Sequence, residues 1–234
     1  MAFSDNEPSF IVNGLIGPDA HLPIILCLHG SGTNTTVFNV QTIRLQRALS
    51  KYFRFIFLDG PFVTEAGPGV MPVFEGCDPF YRWIKNKDNK FSIPAETRKL
   101  IESAIMGVDG DVVGVLGFSQ GSRLAAGLLW EQQFTDQQLA GGFKFKFAAL
   151  FNGIAPPMTD KLVESEKHII SVPSLHIVGI EDQWAEDSRE LFEAFFDKQT
   201  AIKFEFGIGH HLPVAEEHTT KVAAEILKMY NDTK

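Results

Sequence analysis

Short apolar runs with little polar alternation constrain this chain more than any other feature. Residues 23–28 (PIILCL), 53–58 (FRFIFL), 112–116 (VVGVL), 145–151 (FKFAALF), 174–178 (SLHIV) and 202–206 (IKFEF) are each too short for a typical helix. Their composition suits strands covered on both faces. Between them lie longer stretches with helical spacing, at 37–50, 96–106, 121–134, 186–196 and 214–230. In the second of these, Leu100, Ile101, Ala104 and Ile105 share one face. Buried strands alternating with helices predict an α/β fold, with a mostly parallel central sheet and helices on both sides. The alternation runs nearly to the C-terminus, so one domain over residues 1–234 is expected.

Composition narrows the function. Hydrophobic residues make up 44% of the 234, enough for a sizeable core. Lys plus Arg is 21 against 29 Asp plus Glu, a formal charge of −8. That balance argues against nucleic-acid binding, which draws its affinity from cations that neutralise phosphates. Cys27 and Cys77 are too few to staple such a chain, and Cys27 reads as a buried thiol. Residues 1–10 lack a signal-peptide pattern, and no apolar run approaches the roughly 18 residues of a membrane span. A cytoplasmic protein is therefore expected. The 21 phenylalanines suit either an aromatic core, which is the simpler reading, or an apolar substrate pocket.

One stretch interrupts the rhythm. Residues 60–94 hold Pro61, Gly67, Pro68, Gly69, Pro72, Gly76 and Pro79, and run through Phe80-Tyr81-Arg82-Trp83. A connection this long and irregular is often functional. It leaves the C-terminal end of a strand, the edge where parallel sheets bind ligands. It is expected to lie cap-like over the site. Residues 1–21 precede the first clear strand and are expected as an N-terminal extension that adds a strand.

Gly117-Phe118-Ser119-Gln120-Gly121 matches G-x-S-x-G between a strand and a helical stretch. A serine on so sharp a turn has a strained backbone and a projecting hydroxyl, and the flanking glycines let strand and helix approach. A serine hydroxyl is a weak nucleophile and needs a base, itself oriented by a carboxylate. On this type of elbow the partners follow in the order acid, then His. The loop after residues 174–178 offers Glu181, Asp182, Glu186 and Asp187. Asp182 is preferred, since it is close to the strand end yet clear of it, while acidic residues at a helix entry are commonly solvated. The loop after 202–206 offers His210 and His211. His210 is preferred because Gly209 suits a turn that presents a ring inward. A zinc site built from His210, His211, Glu216 and His218 is disfavoured, because no His-Glu-x-x-His spacing occurs. No metal and no cofactor are expected.

Acyl transfer also needs donors for a tetrahedral oxyanion. The backbone N–H of Gln120, at the start of the helix after Ser119, is one candidate. The N–H of Ser31, in the glycine-rich turn His29-Gly30-Ser31-Gly32, is the other. His29 is expected to brace that turn and not to act as a base. Phe62, Trp83, Phe118 and Trp184 are candidate pocket walls.

Taken together, residues 26–34 (LCLHGSGTN), 57–62 (FLDGPF), 114–121 (GVLGFSQG), the 179–182 loop and 209–213 (GHHLP) resemble the FSH family of serine hydrolases. These are small α/β-hydrolases similar to the thioesterase of the lovastatin pathway. The resemblance covers about residues 22–230 and implies an α/β-hydrolase fold with Ser119, Asp182 and His210 as catalytic triad. It implies hydrolysis of an acyl ester or thioester, and in fungal gene clusters release of a polyketide from its synthase. An acyl carrier domain is then a candidate partner, and Arg82, Lys85, Lys87 and Lys90 could form its docking patch, although solvated charges are the simpler reading. A short-chain carboxylesterase shares every catalytic residue. A non-catalytic receptor on the same fold is the alternative of another class, and an incomplete triad would have pointed to it.

Overall fold

The computed structural model describes residues 10–13, 21–85, 91–136, 139–162 and 168–234. Seven strands form one sheet in the order β1-β3-β2-β6-β7-β8-β9. They are β1 (Phe10–Asn13), β2 (Ile24–Leu28), β3 (Arg54–Leu58), β6 (Val112–Phe118), β7 (Phe147–Phe151), β8 (Ser174–Gly179) and β9 (Ala201–Phe206). All neighbouring pairs are parallel except β1 with β3, which is antiparallel. The expected extension thus supplies an edge strand; residues 1–9 and 14–20 lie outside the described residues.

Side-chain period explains the lack of polar alternation. Ile24, Leu26 and Leu28 of β2 join one hydrophobic layer with Ile56, Val115 and Leu150, covered by residues of α3 (Ala95–Gly107), α4 (Gln120–Phe134) and α5 (Ala185–Phe195). Ile25 and Cys27 join the other layer with Phe57, Phe147 and Ile177, covered by residues of α1 (Thr35–Gln41), α2 (Ile43–Leu49) and α6 (Glu216–Asp232). Both faces of each inner strand are dry, so both need apolar side chains. Phe38, Phe53, Phe57, Phe145, Phe147, Phe151 and Phe196 are all fully buried, so most of the phenylalanine excess serves the core.

The helix expected over 37–50 is two helices. Thr42 breaks it: its hydroxyl donates to the carbonyls of Phe38 and Asn39, and Gln46 Nε2 donates back to that hydroxyl. Such side-chain competition for helix carbonyls favours a bend. Residues 60–94 are more regular than expected. β4 (Phe62–Thr64) and β5 (Phe80–Arg82) form an antiparallel pair. The segment is tied to the turn after β2, where Gly32 N–H donates to Tyr81, Tyr81 N–H to Thr33, and Gly67 N–H to Gly32. Val70 packs on Val37 and Phe80, which anchors the tip. Residues 86–90 lie outside the described residues.

Candidate active site

Ser119 sits between the end of β6 and the start of α4, with φ 53° and ψ −116°. That conformation is costly for a residue with a Cβ. Its surroundings hold it there. Ser119 N–H donates to the Phe151 carbonyl at 2.9 Å, and Ser122 Oγ donates to the carbonyls of Gly117 and Phe151. The glycine spacing is steric: a Cβ on Gly121 would lie 2.0 Å from the Leu28 carbonyl oxygen, and one on Gly117 2.5 Å from that of Gly121.

The acid and base loops converge on this turn. Ser119 Oγ lies 3.0 Å from His210 Nε2, and His210 Nδ1 lies 2.7 Å from Asp182 Oδ2. The other carboxylate oxygen of Asp182 accepts the Trp184 N–H at 2.9 Å. With a carboxylate on Nδ1, that nitrogen carries the proton and Nε2 offers its lone pair to the serine hydroxyl. The imidazole is also held between rings, with Phe118 at 4.9 Å and Trp184 at 4.6 Å between centroids.

The neighbouring candidates stand outside the line of contacts from Asp182 through His210 to Ser119. Glu181 is exposed, and Glu186 is exposed and paired with Arg189. His211 is exposed, turns its Nδ1 to the Leu212 carbonyl, and lines the cavity over Ser119 as a wall residue. His218 stacks on Phe206 at 4.0 Å. Among the described residues no group of three or more His, Cys, Asp or Glu side chains is placed to hold a metal ion.

A cavity of about 510 Å³ opens over Ser119. Gly30, Ser31, Phe118, Ile154, Trp184 and His210 line it, with Pro68, Gly69 and Val70 of the long connection on one side. Among the described residues its lining carries no Asp, Glu, Lys or Arg. Of the expected walls, Phe118 and Trp184 are there and Phe62 and Trp83 are not. Trp83 is wholly buried in the core and donates its indole N–H to the His29 carbonyl, and its backbone N–H donates to Gln120 Oε1. Phe62 lies on the hairpin beneath Lys85, whose ammonium is 4.8 Å from the ring. Lys85 also pairs with Glu96 at 3.1 Å, and both are exposed; Lys87 and Lys90 lie outside the described residues.

Ser31 and Gln120 both border the cavity beside Ser119. Gln120 is the first residue of α4, so its N–H has no acceptor within the helix. His29 holds the turn that carries Ser31. Its Nδ1 donates to the Gly30 carbonyl at 2.7 Å, and its Nε2 accepts the Gly60 N–H at 2.9 Å. Burial pushes its pKa down to about 4, partly opposed by the bond to Gly30, so the ring is neutral near pH 7.

One residue of this region carries no motif. Asn152, directly after β7, has φ 45° and is fully buried. Its Oδ1 accepts the Gly179 N–H and its Nδ2 donates to the Gly209 carbonyl, each at 3.1 Å.

The model of the family described as "Serine hydrolase (FSH1)" matches residues 21–222. Among curated proteins, the "Probable esterase azaC" of Aspergillus niger is 35% identical over 227 residues, covering 91% of this chain and 87% of that protein. The "Thioesterase FSL2" of Gibberella zeae is 32% identical over 244 residues, covering 92% of this chain and 96% of that protein. Among solved structures, a Bacillus cereus carboxylesterase matches with a TM-score of 0.60 at 17% identity, over 95% of this chain and 94% of that one. Acyl-protein thioesterase 2 of Zea mays matches with a TM-score of 0.59 at 16% identity, over 95% and 99%. At such identities these two show the fold, that of the α/β-hydrolases.

Proposed function

This chain belongs to the FSH1 serine hydrolase family, and on that premise we propose that Ser119, His210 and Asp182 are its catalytic triad and that it releases a polyketide-type acyl chain from a thioester or ester. The observation that carries the reading is the unbroken line of contacts from Asp182 Oδ2 through His210 to Ser119 Oγ, at 2.7 and 3.0 Å, below an open cavity.

The steps follow from that geometry. His210 Nε2 takes the hydroxyl proton as Ser119 Oγ bonds to the acyl carbon. The carbonyl π electrons move onto oxygen, and the N–H groups of Ser31 and Gln120 stabilise that charge. Collapse of the tetrahedral intermediate breaks the bond to the leaving sulfur or oxygen, which takes the proton from His210. Water then enters, gives a proton to His210 and attacks the acyl-enzyme. The second collapse returns that proton to Ser119 Oγ and frees the carboxylic acid. Asp182 holds the His210 tautomer and stabilises the imidazolium in both halves.

The lining supports an uncharged acyl chain, because a charged one would lose its hydration without gaining an Asp, Glu, Lys or Arg to pair with. The volume suits a chain of medium size better than an acetyl group. Relatives named as esterases and as a thioesterase support both leaving-group classes. A Ser119→Ala variant tests the reading, assayed on matched acyl thioesters and esters of graded length. Turnover should fall roughly 10⁴-fold or more with the circular dichroism spectrum unchanged. Retained turnover in the folded variant would refute it.

A further inference from the structure

We propose that Asn152 is a positioning residue for hydrolysis, a strut that sets His210 and Asp182 in register with Ser119; the inference rests on the triad reading above. Ser119 follows β6, Asp182 follows β8 and His210 follows β9. The strand between the first two is β7, and residues 151 and 152 at its end touch all three loops. The Phe151 carbonyl accepts Ser119 N–H at 2.9 Å. The Asn152 amide accepts from Gly179, whose own carbonyl accepts the Asp182 N–H at 3.2 Å. The same amide donates to the carbonyl of Gly209, the residue before His210. Two consecutive residues thus connect nucleophile, acid and base below the side chains that react.

The residue type fits the task. One short side chain must offer a donor and an acceptor at once, to a carbonyl and an N–H about one peptide width apart. Asparagine does this, whereas aspartate has acceptors only and glutamine is a methylene longer. The backbone is left-handed, a region asparagine tolerates better than most residues. Asn152 N–H extends the sheet ladder to the Ile177 carbonyl at 2.8 Å, so the strut stands on the rigid part of the fold. The loops have little slack beside it. A Cβ on Gly179 would meet the carbonyl oxygens of Ile208 and Gly209 at 2.5 and 2.6 Å, so the acid and base loops already touch.

The test uses Asn152→Gly, which accepts the left-handed backbone and deletes both bonds, and Asn152→Ser, which keeps a shorter polar group. Both are assayed on the full chain beside Ser119→Ala. A looser His210 should lower kcat by roughly ten- to a hundredfold in the glycine variant and less in the serine variant, with KM little changed. The low-field proton resonance of the His210 Nδ1–H bonded to Asp182 should weaken or shift in the same order, a change that space-filling alone would not cause. A folded glycine variant with kcat within twofold of the parent and an unmoved resonance overturns the proposal. So does failure of both variants to fold, which would mean that Asn152 supports the sheet and not the site. If Ser119→Ala itself keeps full activity, the triad reading has failed, and that outcome is distinct from failure of the strut.

Discussion

At the level of single residues, the site depends on where each polar atom is obliged to go. Asp182 has one oxygen on the Trp184 N–H and the other on His210, and its side chain is shielded from water. Asp182→Asn would keep the shape and reverse one polarity. Its amide can accept from Trp184, but then its NH₂ faces Nδ1 and the imidazole carries its proton on Nε2, toward Ser119. The hydroxyl would lose its base. The expected result is a kcat drop of about 10⁴-fold with little change in KM, read by steady-state kinetics; a loss below tenfold would contradict the assigned role. Ser119 and the two glycines around it are legible in sequence because steric need fixes residue types at fixed spacing. Distance from the strand end favours Asp182 in the sequence, but what separates it from the exposed Glu181 is its burial and its bonds to His210 and Trp184, which no spacing rule reports. Asn152 is not legible at all, since its task is defined by two backbone groups remote in the chain.

For whole elements, the hydrophobic period carries most of the information. Strands β2, β3, β6, β7 and β8 stand out as apolar runs because both of their faces are covered, and boundary shifts are small, as where residues 112–116 extend to Phe118. The division at Thr42 is hidden because the apolar spacing continues through it; only the hydroxyl's preference for carbonyls three and four residues back ends the first helix. The hairpin within 60–94 is hidden for another reason. Its strands are three residues each, too short for a period to show, and they are held largely by bonds to the distant turn at Gly32 and Thr33. Two further bonds hold Trp83 in the core: its backbone N–H donates to Gln120 Oε1 and its indole N–H to the His29 carbonyl. No helix among the described residues is long and apolar enough to cross a membrane.

Across the whole molecule, two buried histidines link the fold to pH. Burial lowers His29 to about 4, and burial with the nearby Lys198 and Lys203 lowers His176 to about 3, from an ordinary 6.5. Below pH 6.5 the unfolded chain therefore binds protons that the folded chain refuses. The stability these residues contribute is present above about pH 6.5 and is lost as pH falls toward 4 and 3. At pH 5 each should cost on the order of 2 kcal/mol. Urea unfolding at pH 7 and pH 5 should show that loss, and replacing His176 by Asn should roughly halve it, leaving His29's share; equal stability at both values would contradict the burial argument. Lys85 neutralised by Glu96 argues for a solvated hairpin rim at that point. The most direct measurement of the central claim is reaction of the full chain with a fluorophosphonate, followed by mass mapping of its peptides. A single adduct on Ser119, formed far more slowly when His210 is replaced by Ala, is the predicted result. An unlabelled chain, or an adduct on another residue, would contradict the claim that Ser119 is the activated nucleophile.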